Sequence, residues 1–166
     1  SMIFNTNKHD TNLYNTLLVL SRNIFFYKDI SLADTFETRI YLMFIHFSII
    51  LKIFKKKGKK FDQNSYDALF HNIENNLRES GFGDVTVNKK MKDMNKLLYD
   101  ILLKFEKNES NLFKLNSKLV SKYFRELSNE KEEKYKKFES YFNDFYNFCF
   151  ELSLDNMLRE AINFKN

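Results

Sequence analysis

Ile40-Tyr41-Leu42-Met43-Phe44-Ile45-His46-Phe47-Ser48-Ile49-Ile50-Leu51 is the most apolar stretch of the chain, bounded by Arg39 and Lys52. It is shorter than the ~20 residues a helix needs to cross a bilayer, so it reads as a buried core helix. His46 lies amid Met43, Phe44, Phe47 and Ile50. A histidine in such company is expected to be satisfied within the core rather than to titrate or bind a metal. The helix that contains the stretch is expected to start near Asp34 or Thr35 and to run to about Phe54.

Outward from this helix the apolar residues keep a period near 3.6. On the N-terminal side Asp10 is placed to cap a helix with the face Leu13, Leu17, Leu20 and Ile24, and an aromatic knot, Phe25-Phe26-Tyr27, separates it from the core helix. On the C-terminal side lysines at 52, 55, 56, 57, 59 and 60 surround Gly58. Asp62 then opens a third helix with the cleanest face in the chain: Tyr66, Leu69, Phe70, Ile73 and Leu77 follow i, i+3, i+4, i+7, i+11. Gly81, just past Ser80, is a natural left-handed stop, and Gly83 lets the chain turn before Asp84 or Thr86 caps a fourth helix. That helix carries Met91, Met94, Leu98, Ile101 and Phe105. A fifth carries Leu112, Leu115, Leu119, Tyr123 and Leu127, and a sixth carries Tyr135, Phe138, Phe142, Phe145 and Cys149. A short tail helix is expected over 155–163. No repeat of fixed period and no linker interrupts the series, since 130–137 alternates charge as a solvated helix start does.

Composition agrees. The 166 residues contain no proline and three glycines, which removes the turn chemistry that many short strands would need. The expected fold class is therefore all-α, a single compact domain of about six or seven helices over residues 1–166. A chain of this length buries roughly 70% of its unfolded surface and needs no disulfide or structural metal. The single cysteine, Cys149, sits in Phe148-Cys149-Phe150 as a small buried thiol would in a reducing compartment. Ser1 before Met2 reads as a cloning remnant, and 3–10 shows no presequence pattern, so no targeting segment is expected. The abundance of Phe, Tyr, Lys and Asn resembles the drift of an AT-rich genome, and the net charge of +5 is discounted accordingly.

Little in the chain points to a reaction. The histidines are His9, His46 and His71, and no cysteine–histidine spacing matches a zinc site. Asp67, His71 and Glu74 fall within about 60° of one another on the third helix, but no second helix offers a matching pair, so a solvated flank is the better reading. Cys149 and the serines have no histidine at a nucleophile's spacing. Gly81-Phe82-Gly83-Asp84 follows a helix, lacks a third glycine and puts an acid where a phosphate would sit; it reads as two caps joined by a turn. The lysines of 52–60 are able to meet phosphates of RNA or of an anionic lipid surface.

An ordered string of short motifs then resembles the ubiquinol-cytochrome c chaperone family, assembly factors of the cytochrome bc1 complex and their alphaproteobacterial relatives. The pieces are Ser21-Arg22-Asn23-Ile24-Phe25-Phe26-Tyr27, Leu32-Ala33-Asp34-Thr35-Phe36-Glu37-Thr38-Arg39, His46 in its apolar helix, and Asp67-Ala68-Leu69-Phe70. They continue with Leu77-Arg78-Glu79-Ser80-Gly81-Phe82-Gly83-Asp84 and Val87-Asn88-Lys89-Lys90-Met91-Lys92-Asp93-Met94. The resemblance covers about 14–124; beyond Phe124, in the helices of 128–166, little is recognisable. Family members usually have Pro at the place of Ala33 and Gly at those of Thr38 and Asn88.

What the resemblance implies is a non-enzymatic assembly chaperone without a cofactor, which binds newly made cytochrome b. Its place would be the bacterial cytoplasm, peripheral at the inner membrane, or the matrix side in a mitochondrion. Implied further partners are a small assembly subunit and the ribosome; peripheral contact with an anionic membrane is expected from the lysines of 52–60, and no DNA partner is expected. Such a holder is expected to present an apolar or aromatic groove with charges on its rim. Candidate partner-binding residues are the motif residues that an amphipathic core does not require: Arg22, Phe26, Tyr27, Asp34, Thr35 and Arg39, then His46, then Arg78, Glu79, Gly81, Gly83, Asp84 and Lys89. The competing reading is that Asp34 and Asp84 cap helices while Arg39 and Arg78 satisfy them internally. The alternative function is a basic helical module that binds RNA or the ribosome through the lysines of 52–60 and Lys89, Lys90 and Lys92.

Overall fold

The apolar stretch forms the middle of helix α3 (Phe36–Lys56), and from Leu42 to Ile50 every side chain is buried. A helix apolar on all sides can only be stable if other helices cover all sides. Here α1 (Met2–Ser21), α5 (Asp84–Glu106) and α7 (Glu133–Phe150) pack on it, while α4 (Gln63–Glu79) lies against α1 and α5. The remaining elements are α2 (Ile24–Lys28), α6 (Ser117–Tyr123), α8 (Met157–Glu160) and single 3-10 turns at Arg125–Leu127 and Ala161–Asn163. This computed structural model describes residues 2–106 and 113–166, and among them there is no strand. No helix of the described residues is long and apolar enough to cross a membrane.

Helix starts follow side-chain chemistry. Thr35 Oγ1 accepts from the Thr38 amide at 3.2 Å to cap α3, and Asp62 accepts from the Ser65 amide at 3.1 Å to cap α4. Each satisfies a donor that the first turn leaves orphaned. Gly81 ends the α4 turn at φ +95°, where any other residue would strain. Asp84 is not a cap: it is the first residue of α5, and its carboxylate turns back to Arg78.

Three expected boundaries differ. Helix α1 begins well before Asp10, which lies inside it. Ile24 leaves the α1 face: Asn23 breaks the helix, caps α2 by accepting from the Phe25 amide at 3.0 Å, and leaves Ile24 exposed as its first residue. The fifth helix is shorter than its periodicity indicates. Leu112 lies outside the described residues, Leu115 precedes the helix, and Asn116 starts α6 by accepting from the Leu119 amide at 3.1 Å. Leu127 falls on the following 3-10 turn, yet Leu115, Leu119 and Leu127 are all buried.

The aromatic knot belongs to the core. Phe26 is fully buried, with ring centroids at 4.7 Å from Tyr141, 5.8 Å from Phe142 and 6.0 Å from His46. The pairs with Tyr141 and His46 are edge-to-face and that with Phe142 is stacked, and aromatic pairs of both kinds add to the burial energy of each ring.

Candidate functional site

Residues of three motifs, 21–27, 32–39 and 77–84, gather at one corner, where α1 ends, α2 and its following loop turn the chain, and α4 ends. Tyr27 donates from its hydroxyl to the Ser21 carbonyl at 2.8 Å, tying α2 to the end of α1. Both Nε and Nη2 of Arg39 donate to Asp34 Oδ1, at 3.1 and 2.6 Å. Burial raises the Tyr27 phenol above its ordinary value, with Asp34 raising it further and Arg39 and Arg22 opposing. Burial likewise raises Tyr14 on α1, lowered in part by Arg22 and raised by Glu79 of α4. Arg22, Asp34, Arg39 and Glu79 therefore share one electrostatic neighbourhood around two half-buried tyrosines.

A second pair closes the α4–α5 turn. Arg78 donates to Glu74 on its own helix at 3.2 Å and to Asp84 across the glycine turn. The pairing of Arg39 with Asp34 and of Arg78 with Asp84 is the internal satisfaction that the competing reading describes, while the capping role falls to Thr35 rather than Asp34. Gly83 accepts from the Val87 amide through its carbonyl, and Lys89 is exposed on the outer side of α5.

Two of the sequence candidates face inward. Phe26 and His46 are each 0% exposed, so they are core residues and not a surface for a partner. The Leu42 carbonyl, 2.6 Å from His46 Nδ1, can only accept, which puts the proton on Nδ1. Nε2 then accepts from the Tyr141 hydroxyl at 2.8 Å. Burial lowers the imidazole pKa from 6.5 to about 4 and leaves it neutral. A neutral histidine fully occupied on both nitrogens holds α3 to α7.

The surface feature that sequence reasoning missed is a groove of about 570 Å³ between the N-terminal half of α3, the middle of α5 and the end of α6. Phe36, Ile40, Tyr41, Met94 and Leu97 supply apolar and aromatic walls, and Glu37, Lys90, Asp93, Lys96 and Asp100 stand among them. Asp100 organises one end: it accepts from Lys122 Nζ at 2.8 Å and from the Tyr123 hydroxyl at 2.6 Å, which hold its carboxyl below the usual range. Burial and Asp100 push the Tyr123 phenol up to about 12. The Tyr123 ring packs on Tyr41 at 5.1 Å. Met94 was legible as helix-face periodicity and as the end of the 87–94 motif, and Phe36 only as a member of the 32–39 motif.

Asp67 accepts from Gln63 at 2.9 Å, Glu74 is engaged by Arg78, and His71 is exposed. Among the described residues no group of three His, Cys, Asp or Glu side chains converges as metal ligands. Cys149 is buried, and burial pushes its thiol up to about 12, far from a reactive thiolate.

Comparison with known proteins decides the kinship. The family model for the ubiquinol-cytochrome C chaperone matches residues 28–158. The chain belongs to that family. The match starts just after the Ser21 to Tyr27 motif and continues past Phe124 into α7 and α8, so the relationship reaches further toward the C-terminus than the motifs do. The crystal structure of the Cbp3 homolog from Brucella abortus is similar with a TM-score of 0.64 and 18% identity, covering 96% of this chain and 89% of that one. At this identity the likeness shows a shared fold for the chaperone. No curated protein matches the sequence.

Proposed function

We propose that this chaperone holds newly made cytochrome b during assembly of the ubiquinol-cytochrome c reductase complex, performing no reaction of its own. The groove between α3, α5 and α6 takes an apolar client segment. The observation that carries this reading is the groove itself, in a chain whose family match spans 28–158. Rings and aliphatic side chains line it, as an apolar segment requires, and charges of both signs, Glu37, Asp93 and Asp100 with Lys90, Lys96 and Lys122, stand among them. The charged corner of Arg22, Tyr27, Asp34, Arg39 and Glu79, with Arg78 and Asp84 beside it, is the proposed contact for a small assembly subunit. Work at the inner face of the membrane follows from the client.

The RNA or ribosome alternative is weakened by the use of its lysines within the fold. Lys57 donates to the Phe150 and Leu152 carbonyls at 2.6 and 3.1 Å, and Lys59 to Asp155 at 3.1 Å. Lys90 lies over the Phe82 ring at 5.1 Å.

The test is photo-crosslinking in cells from a reactive residue at Tyr41 or Met94, with Lys136 on the exposed side of α7 as control. Cytochrome b is the expected product at the first two positions and not at the third. Recovery of ribosomal proteins or RNA without cytochrome b overturns the reading.

A further inference from the structure

A cleft of about 370 Å³ lies between α6, the turn that follows it and the start of α7. Ser117 and Lys118 of α6, Ser128 and Lys131 of the turn and Tyr135 of α7 line it, together with Glu130. It shares no residue with the client groove.

We infer that this cleft binds a small phosphomonoester, whose phosphoryl oxygens meet Lys118, Lys131, the Tyr135 hydroxyl and the first amides of α7. The inference does not rest on the client reading.

Three observations carry it. First, Tyr135 is 3% exposed and its hydroxyl has no hydrogen-bond partner. A buried phenol left in that state forfeits the bond it made with water in the unfolded chain. Burial pushes its pKa up to about 12, with Glu139 and Glu130 raising it further, so the oxygen keeps its proton and offers it as a donor. A ligand oxygen in the cleft supplies the acceptor that the fold does not.

Second, α7 begins at the rim of the cleft, and no side chain caps it. Its first backbone bond runs from the Lys136 amide to the Glu132 carbonyl, so the amides of Glu133, Lys134 and Tyr135 precede any helical partner. Such amides point back out of the helix, here toward the turn that holds Ser128 and Lys131, and an anion satisfies them.

Third, the two lysines have charge to give. Lys118 and Lys131 bond through their backbone only, the one accepting from Ser121 and the other donating to Asn129, and among the described residues neither ammonium has a partner. Of the acids nearby, Glu132 is paired with Lys134 at 3.6 Å, and Glu130 alone lines the cleft. The donors come from three elements and so from several directions. A planar carboxylate meets only those in one plane, whereas a tetrahedral phosphoryl group meets them all. The space beyond the phosphoryl group holds a small carbon body.

The experiment titrates glycerol phosphate into the isotope-labelled chain at constant ionic strength, followed by NMR, with inorganic phosphate and acetate in parallel. The amides of Glu133, Lys134 and Tyr135 are expected to shift along one saturating curve with either phosphate, and acetate to bind at least tenfold more weakly. Tyr135→Phe keeps the ring and removes the hydroxyl, and is expected to weaken binding about tenfold. Lys118→Gln combined with Lys131→Gln is expected to weaken it about fivefold. Glu130→Gln tightens it, and Lys136→Gln with Lys137→Gln, on the exposed side of α7, leaves it unchanged. Absence of a saturating shift at these amides, equal affinity for acetate, or equal affinity in Tyr135→Phe and the parent overturns the inference. So does tighter binding of a phosphoserine peptide than of glycerol phosphate, which would make the ligand a modified protein. Should Tyr135→Phe fail to fold, the lysine pair and Glu130→Gln decide by the opposite signs of their effects. No client is present in these titrations, so failure here leaves the client reading standing.

Discussion

At the scale of single residues, His46 couples stability to pH. Its folded-state pKa of about 4 lies below the ordinary 6.5, so the unfolded chain takes up the proton first. The stabilisation is complete above about pH 6.5 and is lost as pH falls toward 4, a change on the order of 3 kcal/mol. His46→Gln cannot titrate, and its urea midpoint is expected to fall less than that of the parent between pH 7 and 4.5. Parallel falls would show that the imidazole is not held neutral. The apolar neighbours of His46 made its burial legible in the sequence, but its partner was not. Tyr141 lies 95 residues away and reaches it only because α3 packs on α7. Phe26 shows the opposite outcome. It stands outside any helical face in the sequence and was read as a surface candidate, yet the short helix α2 turns its ring into the core.

At the scale of elements, the turn between α4 and α5 separates two glycines that look equivalent in the sequence. Gly81 has φ +95°, whereas Gly83 has no such conformation, and a Cβ at either position would meet nothing within 4 Å. Steric crowding is therefore absent at both, and only backbone conformation distinguishes them. Gly81→Ala is expected to destabilise by about 1 kcal/mol, and Gly83→Ala to be neutral or slightly stabilising by reducing the freedom of the unfolded chain. Thermal or urea unfolding of the two variants measures the contrast; equal effects would refute it. Long helices with one clean face were readable: Leu69, Ile73 and Leu77 on α4, and Met94, Leu98, Ile101 and Phe105 on α5, are buried where the 3.6-residue period puts them. The segment around α6 was not, because Asn116 restarts the helix inside the apolar pattern and the pattern records burial rather than hydrogen bonding.

At the scale of the molecule, α3 and α5 run side by side in the same sense. The N-terminal half of α3 meets Met94 and Leu97 across the first groove, and its C-terminal half meets Leu102 and Phe105 across the second. Ile40 and Lys52 are about 18 Å apart along the helix axis, so the two grooves are separate sites on one rigid rod. No local pattern could reveal the first groove, whose walls come from residues 36–41, 90–100 and 122–123 and exist only after the helices are assembled. Its floor is apolar, and apolar contact does not weaken when salt screens charge. The second groove is ringed by lysines, whose reach shrinks from about 10 Å at 0.1 M salt to about 3 Å at 1 M. Crosslinks from Tyr41 to its client are therefore expected to persist at high salt, as they would not if the client lay on the lysines. Loss of the crosslinks as salt rises would mean that a charged surface holds the client, and that the groove between α3, α5 and α6 does not.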